Sequence, residues 1–285
     1  MVTPFDSDGN LNEEAARRLM RHLVDHGSDG LVVAGTTGES PTLSDDEKLR
    51  LLEIALDEVG DEASVILGTG SNDTAHSVRL TRAAGKRGAH GVIVVTPYYS
   101  KPNRAGLLAH FQAVAAATDV PVMLYNIPAR CVINLEPDLL AELGRVDNIV
   151  AIKQANDDID QARRIVDEAG LALYAGDDNL LRPFAEIGGA GGVCVTSHLF
   201  GEQMKEMYEA ARGGDSERAA EIDAGLKDVY ETIFMTVGTI TMKAALNLLG
   251  VEAGGLRLPL VEASESERAA VQAMLERHGL LARAA

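Results

Sequence analysis

Asn148-Ile149-Val150-Ala151-Ile152-Lys153 is a β-branched run that ends in an amine, and the polar Gln154-Ala155-Asn156-Asp157-Asp158 follows at once. Such a run reads as a buried strand whose last residue stands at the edge of a loop. Lysine is among the side chains least often buried, so this one either reaches past the strand end to water or is kept inside for chemistry. What decides between the two is whether other strands aim reactive groups at the same place.

Short β-branched or small-residue runs recur around residues 1–3, 30–33, 64–67, 91–95, 121–125, 149–153, 171–175 and 192–195, eight in all. Between them lie helix-length segments with apolar residues at i, i+3 and i+4 spacing, such as Leu19, Leu23 and Val24, or Leu49, Leu52, Ile54 and Leu56. Ser44-Asp45-Asp46-Glu47 and Ser264-Glu265-Ser266-Glu267 are capping boxes, in which the serine and the glutamate three residues on satisfy orphan amide donors reciprocally. Gly27, Gly60, Gly88 and Gly170 stand where helices should stop, as glycine does at a left-handed C-cap. Eight strands each followed by a helix predict an α/β fold, a (β/α)8 TIM barrel. An open doubly wound sheet would want a glycine fingerprint after its first strand, and none is there. From Asp215 onward helical segments take over, over 217–229, 241–249 and 265–281, with Gly254, Gly255 and Pro259 in the loop between the last two. Residues 1–213 are therefore expected to form the catalytic barrel and 214–285 a C-terminal helical extension.

Composition narrows the partners. With 285 residues and 46% apolar content the chain can bury a large core, while 43 acidic against 26 basic residues leave a net charge of −17. That field disfavours nucleic acid and anionic membranes, although a local Arg or Lys can still attract a small anion. Cys131 and Cys194 are too few for a disulfide framework and lack metal-ligand spacing, which fits a reducing cytoplasm. The first residues carry no basic stretch leading into a long apolar one, and the longest apolar tract, 233–249, is interrupted by Lys243, Asn247 and several threonines. Neither a signal peptide nor a membrane span is expected.

Active sites of such barrels lie at the carboxyl ends of the strands, so the residues just after each strand carry the information. After the second run comes Gly35-Thr36-Thr37-Gly38-Glu39-Ser40, whose hydroxyls and free backbone N–H groups can grip a carboxylate; an ordinary polar turn has the same composition. After the fourth comes Thr96-Pro97-Tyr98-Tyr99-Ser100-Lys101-Pro102 and after the fifth Leu124-Tyr125-Asn126-Ile127-Pro128-Ala129-Arg130. Each tyrosine could be a packing residue. Three of the chain's six tyrosines gathered at strand ends with a buried lysine point instead to a site. An amine that attacks a carbonyl must be unprotonated, a state that desolvation in a barrel interior promotes. A tyrosine hydroxyl can shuttle protons as the carbinolamine forms and collapses, while the threonine pair holds the carboxylate of a 2-oxo acid. This constellation describes a Schiff-base aldolase. The seven histidines are scattered, so no metal and no cofactor beyond the covalent lysine adduct is expected.

These motifs, in this order, resemble the dihydrodipicolinate synthase family, within the pyruvate-dependent Schiff-base lyases that also include N-acetylneuraminate lyase and 2-keto-3-deoxygluconate aldolase. The likeness runs from Met1 to about Leu260. It implies that Lys153 forms the imine with pyruvate, that Tyr125 stands above it, and that Thr37 is the relay hydroxyl with Thr36 beside it on the pyruvate carboxylate. It further implies that Tyr99 completes the relay in a neighbouring subunit, that Arg130 receives the carboxylate of L-aspartate 4-semialdehyde, and that Gly176 and Val193 line the pyruvate pocket. The implied reaction makes 4-hydroxy-tetrahydrodipicolinate, the precursor of lysine and diaminopimelate, in a homo-oligomer that is at least a dimer and, by resemblance, a tetramer. A sister activity on 2-keto-3-deoxy sugar acids and a non-catalytic oxo-acid sensor are the alternatives. The first would favour hydroxyl-binding side chains where Arg130 stands, and the second has no need of a buried amine.

The chain departs from the family in four places. Cys131-Val132 stands where Thr-Gly is usual, and Ser100 where Asn is usual; both lie at the second-substrate end. The chain also begins almost inside its first strand, which is expected to weaken the barrel floor slightly. At the interface where lysine inhibits some members, Ser40, Asn72 and Tyr98 match, but the histidine positions read Asp45 and Lys48 and the glutamate position reads His76. Loss of the acid and gain of a cation oppose a cationic ligand, which implies insensitivity to lysine.

Overall fold

A computed structural model describes residues 1–282; the last three residues of the expected extension, 283–285, lie outside the described residues. Seven strands form one sheet in chain order: β1 (Gly30–Val33), β2 (Ser64–Gly68), β3 (Gly91–Val95), β4 (Val122–Asn126), β5 (Ile149–Gln154), β6 (Ala172–Ala175) and β7 (Gly191–Gly192). Every neighbouring pair is parallel, and helices cross between successive strands. This is the (β/α)8 TIM-barrel class, followed by the helices Ser216–Ile233, Gly238–Leu248 and Glu265–Arg277. Among the described residues, no helix is long and apolar enough to cross a membrane.

Residues 1–3, expected as the first of eight strands, do not enter the ladder. The Met1 ammonium donates to the Val32 carbonyl at 2.8 Å, but the Val2 N–H turns to His198 Nε2 at 3.1 Å and the Thr3 hydroxyl to the Gly38 carbonyl at 2.7 Å. Side chains and loops thus satisfy groups that a strand would pair with its neighbours. The segment still lies between β1 and the region after β7, where the eighth strand would close the ring. The last strand is also shorter than its expected span, although Val193 continues the pattern by donating to the Ala175 carbonyl at 2.9 Å.

Alternation along the strands builds two cores. Leu31, Val33, Val65, Leu67, Val92, Val94, Leu124 and Ile152 face outward to the helices, while Val32, Ile66, Ile93, Met123, Tyr125 and Ala151 fill the interior. Both expected capping boxes form, at Ser44 with Glu47 and at Ser264 with Glu267. Of the four expected left-handed caps, Gly27, Gly88 and Gly170 have φ of 99, 83 and 66°, but Gly60 is right-handed at −63°. Its N–H still bonds the Leu56 carbonyl at 3.0 Å, so the helical path runs through it and stops later.

The extension is tied to the barrel through Arg257, whose guanidinium donates to the Thr42 carbonyl at 2.9 Å and to Glu47 at 3.0 Å. That guanidinium, helped by the Ser44 amide, holds the Glu47 carboxyl down at about 2. A carboxylate whose pKa is depressed in the folded chain adds stability above its ordinary value near ~4.3 and loses it as pH falls towards the folded value. Glu47→Gln should therefore be less stable than the unaltered protein at pH 6, with the difference closing between roughly pH 4.5 and pH 2. Denaturant titrations across that range read it directly, and a gap that stays constant with pH would count against the ion pair.

Candidate active site

The register of β4 against β5 places the reactive pair. Val122 pairs with Ile149 but Met123 with Ala151, so Val150 is the extra residue of a bulge. Past it, Tyr125 stands opposite Lys153, both on the face that looks into the barrel. Lys153 Nζ lies 4.3 Å from the centre of the Tyr125 ring, and the lysine is half-buried. The backbone beneath is fixed, since Thr96 donates both its N–H and its hydroxyl to the Tyr125 carbonyl at 2.9 Å.

Behind this pair, on the outward face, is an amide network that sequence reading missed. Asn126 donates to Asn134 at 2.7 Å and to Gln154 at 2.9 Å; Gln154 reaches Asn156 at 2.9 Å; Gln161 donates to the Leu135 carbonyl at 2.8 Å. Asn126 and Gln154 are fully buried and directly follow Tyr125 and Lys153. A satisfied buried network of this kind locks the ends of two strands together. The signal was available: each is an amide closing a mostly apolar strand.

A cavity of about 620 Å³ opens at the carboxyl ends of β1 to β5 and is lined by Thr36, Tyr125, Arg130 and Lys153 together. Four of the expected site residues therefore converge. Thr36 is exposed and Thr37 half-buried in the loop after β1, and Thr37 does not line the cavity. Arg130 is exposed on the short helix Pro128–Cys131, and the next residue, Val132, holds a left-handed φ of 68° that suits glycine better than a β-branched side chain. Tyr99 is 90% exposed, outside the cavity, with a φ of 71°. Gly176 also lies outside it, its N–H bonded to the Gln154 carbonyl at 2.8 Å; a Cβ there would meet Ala155 Cβ at 2.7 Å, so only glycine lets the chain pass.

Val193 falls elsewhere. It lines a second cavity, of about 380 Å³, together with Gly30 and Ser64 at the amino ends of the strands. The next residues missed by sequence reading are Asp177 and Asp178, which follow Gly176. Burial lifts the Asp177 carboxyl, while the charges of Lys153 and Arg130 oppose that rise. Asp178 is fully buried, accepts the Val195 N–H at 2.9 Å, and is also lifted by burial.

The first cavity extends to Ser40, Asp45, Lys48, Asn72, His76 and Tyr98. Asp45 faces it and accepts from His76 at 2.8 Å, so that carboxylate is already engaged. Burial pulls the Lys48 ammonium down, and Asp45 partly offsets this. Near Lys153 the cavity offers an amine, a phenol, a guanidinium and a hydroxyl-bearing loop, groups that together suit a small anion carrying a reactive carbonyl.

Comparison with known proteins agrees with that chemistry. Residues 1–278 match the model of the dihydrodipicolinate synthetase family. A 4-hydroxy-tetrahydrodipicolinate synthase of Desulforudis audaxviator is 48% identical over 284 residues, 99% of this chain and 96% of its own. One from Mycobacterium leprae is 49% identical over 267 residues, 94% and 89% of the two chains. Among solved structures, the enzyme of the same family from Cyanidioschyzon merolae, with lysine bound, superposes with a TM-score of 0.96 at 39% identity, covering 99% of this chain and 97% of that one.

Proposed function

The chain belongs to the dihydrodipicolinate synthetase family, and from that membership we propose that it is a 4-hydroxy-tetrahydrodipicolinate synthase, condensing pyruvate with L-aspartate 4-semialdehyde through an imine on Lys153. The observation that carries the assignment of roles is the convergence of Lys153, Tyr125, Thr36 and Arg130 on one cavity at the carboxyl ends of the strands. The barrel of residues 1–213 carries the chemistry in this reading, with 214–285 as its extension.

The Lys153 amine adds to C2 of pyruvate, and the carbinolamine loses its hydroxyl as water. Tyr125, with its ring 4.3 Å from the nitrogen, hands over the proton that this departure needs. Thr36 and Thr37 hold the carboxylate. Loss of a C3 proton gives the enamine, whose C3 attacks the aldehyde carbon of the semialdehyde while Arg130 holds that substrate's carboxylate. The substrate's own amino group then displaces Lys153 from C2, closing the ring and freeing the amine. No metal or separate cofactor takes part. Thr37 and Tyr99 complete the proton relay, and the 90% exposure of Tyr99, with its left-handed backbone, supports a place for it in the site of a second copy. The assembly is then at least a dimer, with tetramer the fuller form, in the cytoplasm. Gly176 and Val193, the backbone wall that the family resemblance implies, both lie outside this cavity, Val193 lining the floor cavity instead.

Four measurements test this. Borohydride with pyruvate should fix one pyruvate-derived mass on the peptide holding Lys153, and Lys153→Ala should abolish it; labelling of another lysine would overturn the reading. The coupled assay should show no saturable inhibition by millimolar lysine. Arg130→Ala should leave trapping intact but lower kcat/KM for the semialdehyde by about ten- to a hundredfold, some 1.4–2.8 kcal/mol. Comparable damage to both steps would place the arginine elsewhere. Finally, mixing Tyr99→Phe with Lys153→Ala protomers should regain activity, since one hybrid site receives both intact residues; verified mixed dimers without recovery would exclude sharing.

A further inference from the structure

Glu39 sits in the loop that carries Thr36 and Thr37, yet its side chain points away from solvent and is 1% exposed. Its Oε1 lies 2.7 Å from Lys243 Nζ, itself 1% exposed, and its Oε2 accepts the Arg257 backbone N–H at 2.9 Å. Lys243 also donates to the Gly255 carbonyl at 2.6 Å and stands 4.3 Å from the centre of the Phe5 ring, with the Arg257 guanidinium 4.2 Å from the same ring. Gly254, at φ 69°, lets this segment press against Phe5, whose carbonyl any Cβ would strike. Burial pulls the Lys243 ammonium down and Glu39 pulls it back up.

Buried ion pairs are weak contributors to stability, because desolvation offsets most of their attraction. Their use lies in geometry, and here the geometry belongs to the loop. Ala34 and Glu39 both adopt left-handed backbones, at φ 51° and 58°, at either side of the threonines. The Glu39 N–H bonds the Thr36 carbonyl at 3.1 Å, the Ser40 N–H the Gly35 carbonyl at 3.2 Å, and the Thr3 hydroxyl the Gly38 carbonyl. Among the described residues no protein group bonds either threonine hydroxyl, and Thr36 lines the cavity while the backbone of both is pinned at Glu39.

We propose that Glu39, Lys243 and Arg257 are positioning residues that set the Thr36–Thr37 loop to receive the carboxylate of the 2-oxo acid beside Lys153. This rests on the pyruvate reading above. The extension thereby acts on the first half-reaction from a distance, touching neither substrate nor the reacting amine.

The test separates the two ideas. Trapping of pyruvate on Lys153 in the unaltered protein checks the reading by itself. The double variant Glu39→Gln with Lys243→Met removes the charges without stranding either one in the interior. It should keep its fold and assembly by circular dichroism and sedimentation, and KM for pyruvate should rise about tenfold while kcat falls less than about threefold. Trapping by acetone, which offers the same carbonyl without a carboxylate, should change less than about twofold, whereas trapping by dilute pyruvate slows about tenfold. Glu39→Asp keeps the charge but retracts it by one methylene, and it supplies the same comparison should the double variant not fold. Equal losses with acetone and pyruvate, or an unchanged pyruvate KM, would overturn the proposal even where trapping on Lys153 succeeds.

Discussion

The pairing of Tyr125 with Lys153 across β4 and β5 is the constraint on which the site depends. Because side chains alternate along a strand, a shift of one residue would turn Lys153 out towards the helices. The bulge at Val150 sets the phase: it absorbs one residue and leaves Ala151 and Lys153 facing inward. Beyond it the ladder runs without interruption, and the amides of Asn126 and Gln154 join the two strand ends from behind. The lysine and the tyrosine are thus held by backbone and network rather than by each other. That arrangement leaves both functional groups free for a substrate.

Most of the barrel was legible because its strands are β-branched runs of nearly the right length, separated by helical periods and capping boxes. The weak points have physical reasons. Residues 1–3 look like a strand, but their partners are a histidine and loop carbonyls, which no periodicity records. Lys153, Tyr125, Thr36 and Arg130 were legible as strand-end residues and do share a cavity. Val193 does not join them: strand-end position alone cannot tell which end of the barrel a residue will face. Tyr99 points into solvent in a single chain, so the relay role proposed for it requires a second copy. Glu39 was hidden inside a motif read for its hydroxyls, and Lys243 registered only as a break in an apolar tract.

The electrostatics of the molecule run opposite to those of its site. With a net charge of −17 the surface repels small anions at long range, and salt at physiological strength screens that field within ~8 Å. Around Lys153 the cavity places Lys48 and Arg130 as local cations, while Asp45 is occupied by His76. Selectivity for an anion therefore comes from short-range contacts, and the acidic exterior serves solubility.

The long reach between Glu39 and Lys243 also bears on the order in which the chain can mature during synthesis. The two residues are about two hundred positions apart, so the carboxylate leaves the ribosome long before its partner. At ~5–20 residues per second the interval is roughly 10–40 s. Over that time the acid favours water, because there is no counter-charge to accompany it inside. Completion of this part of the barrel is therefore a late event, timed by the arrival of the second helix of the extension.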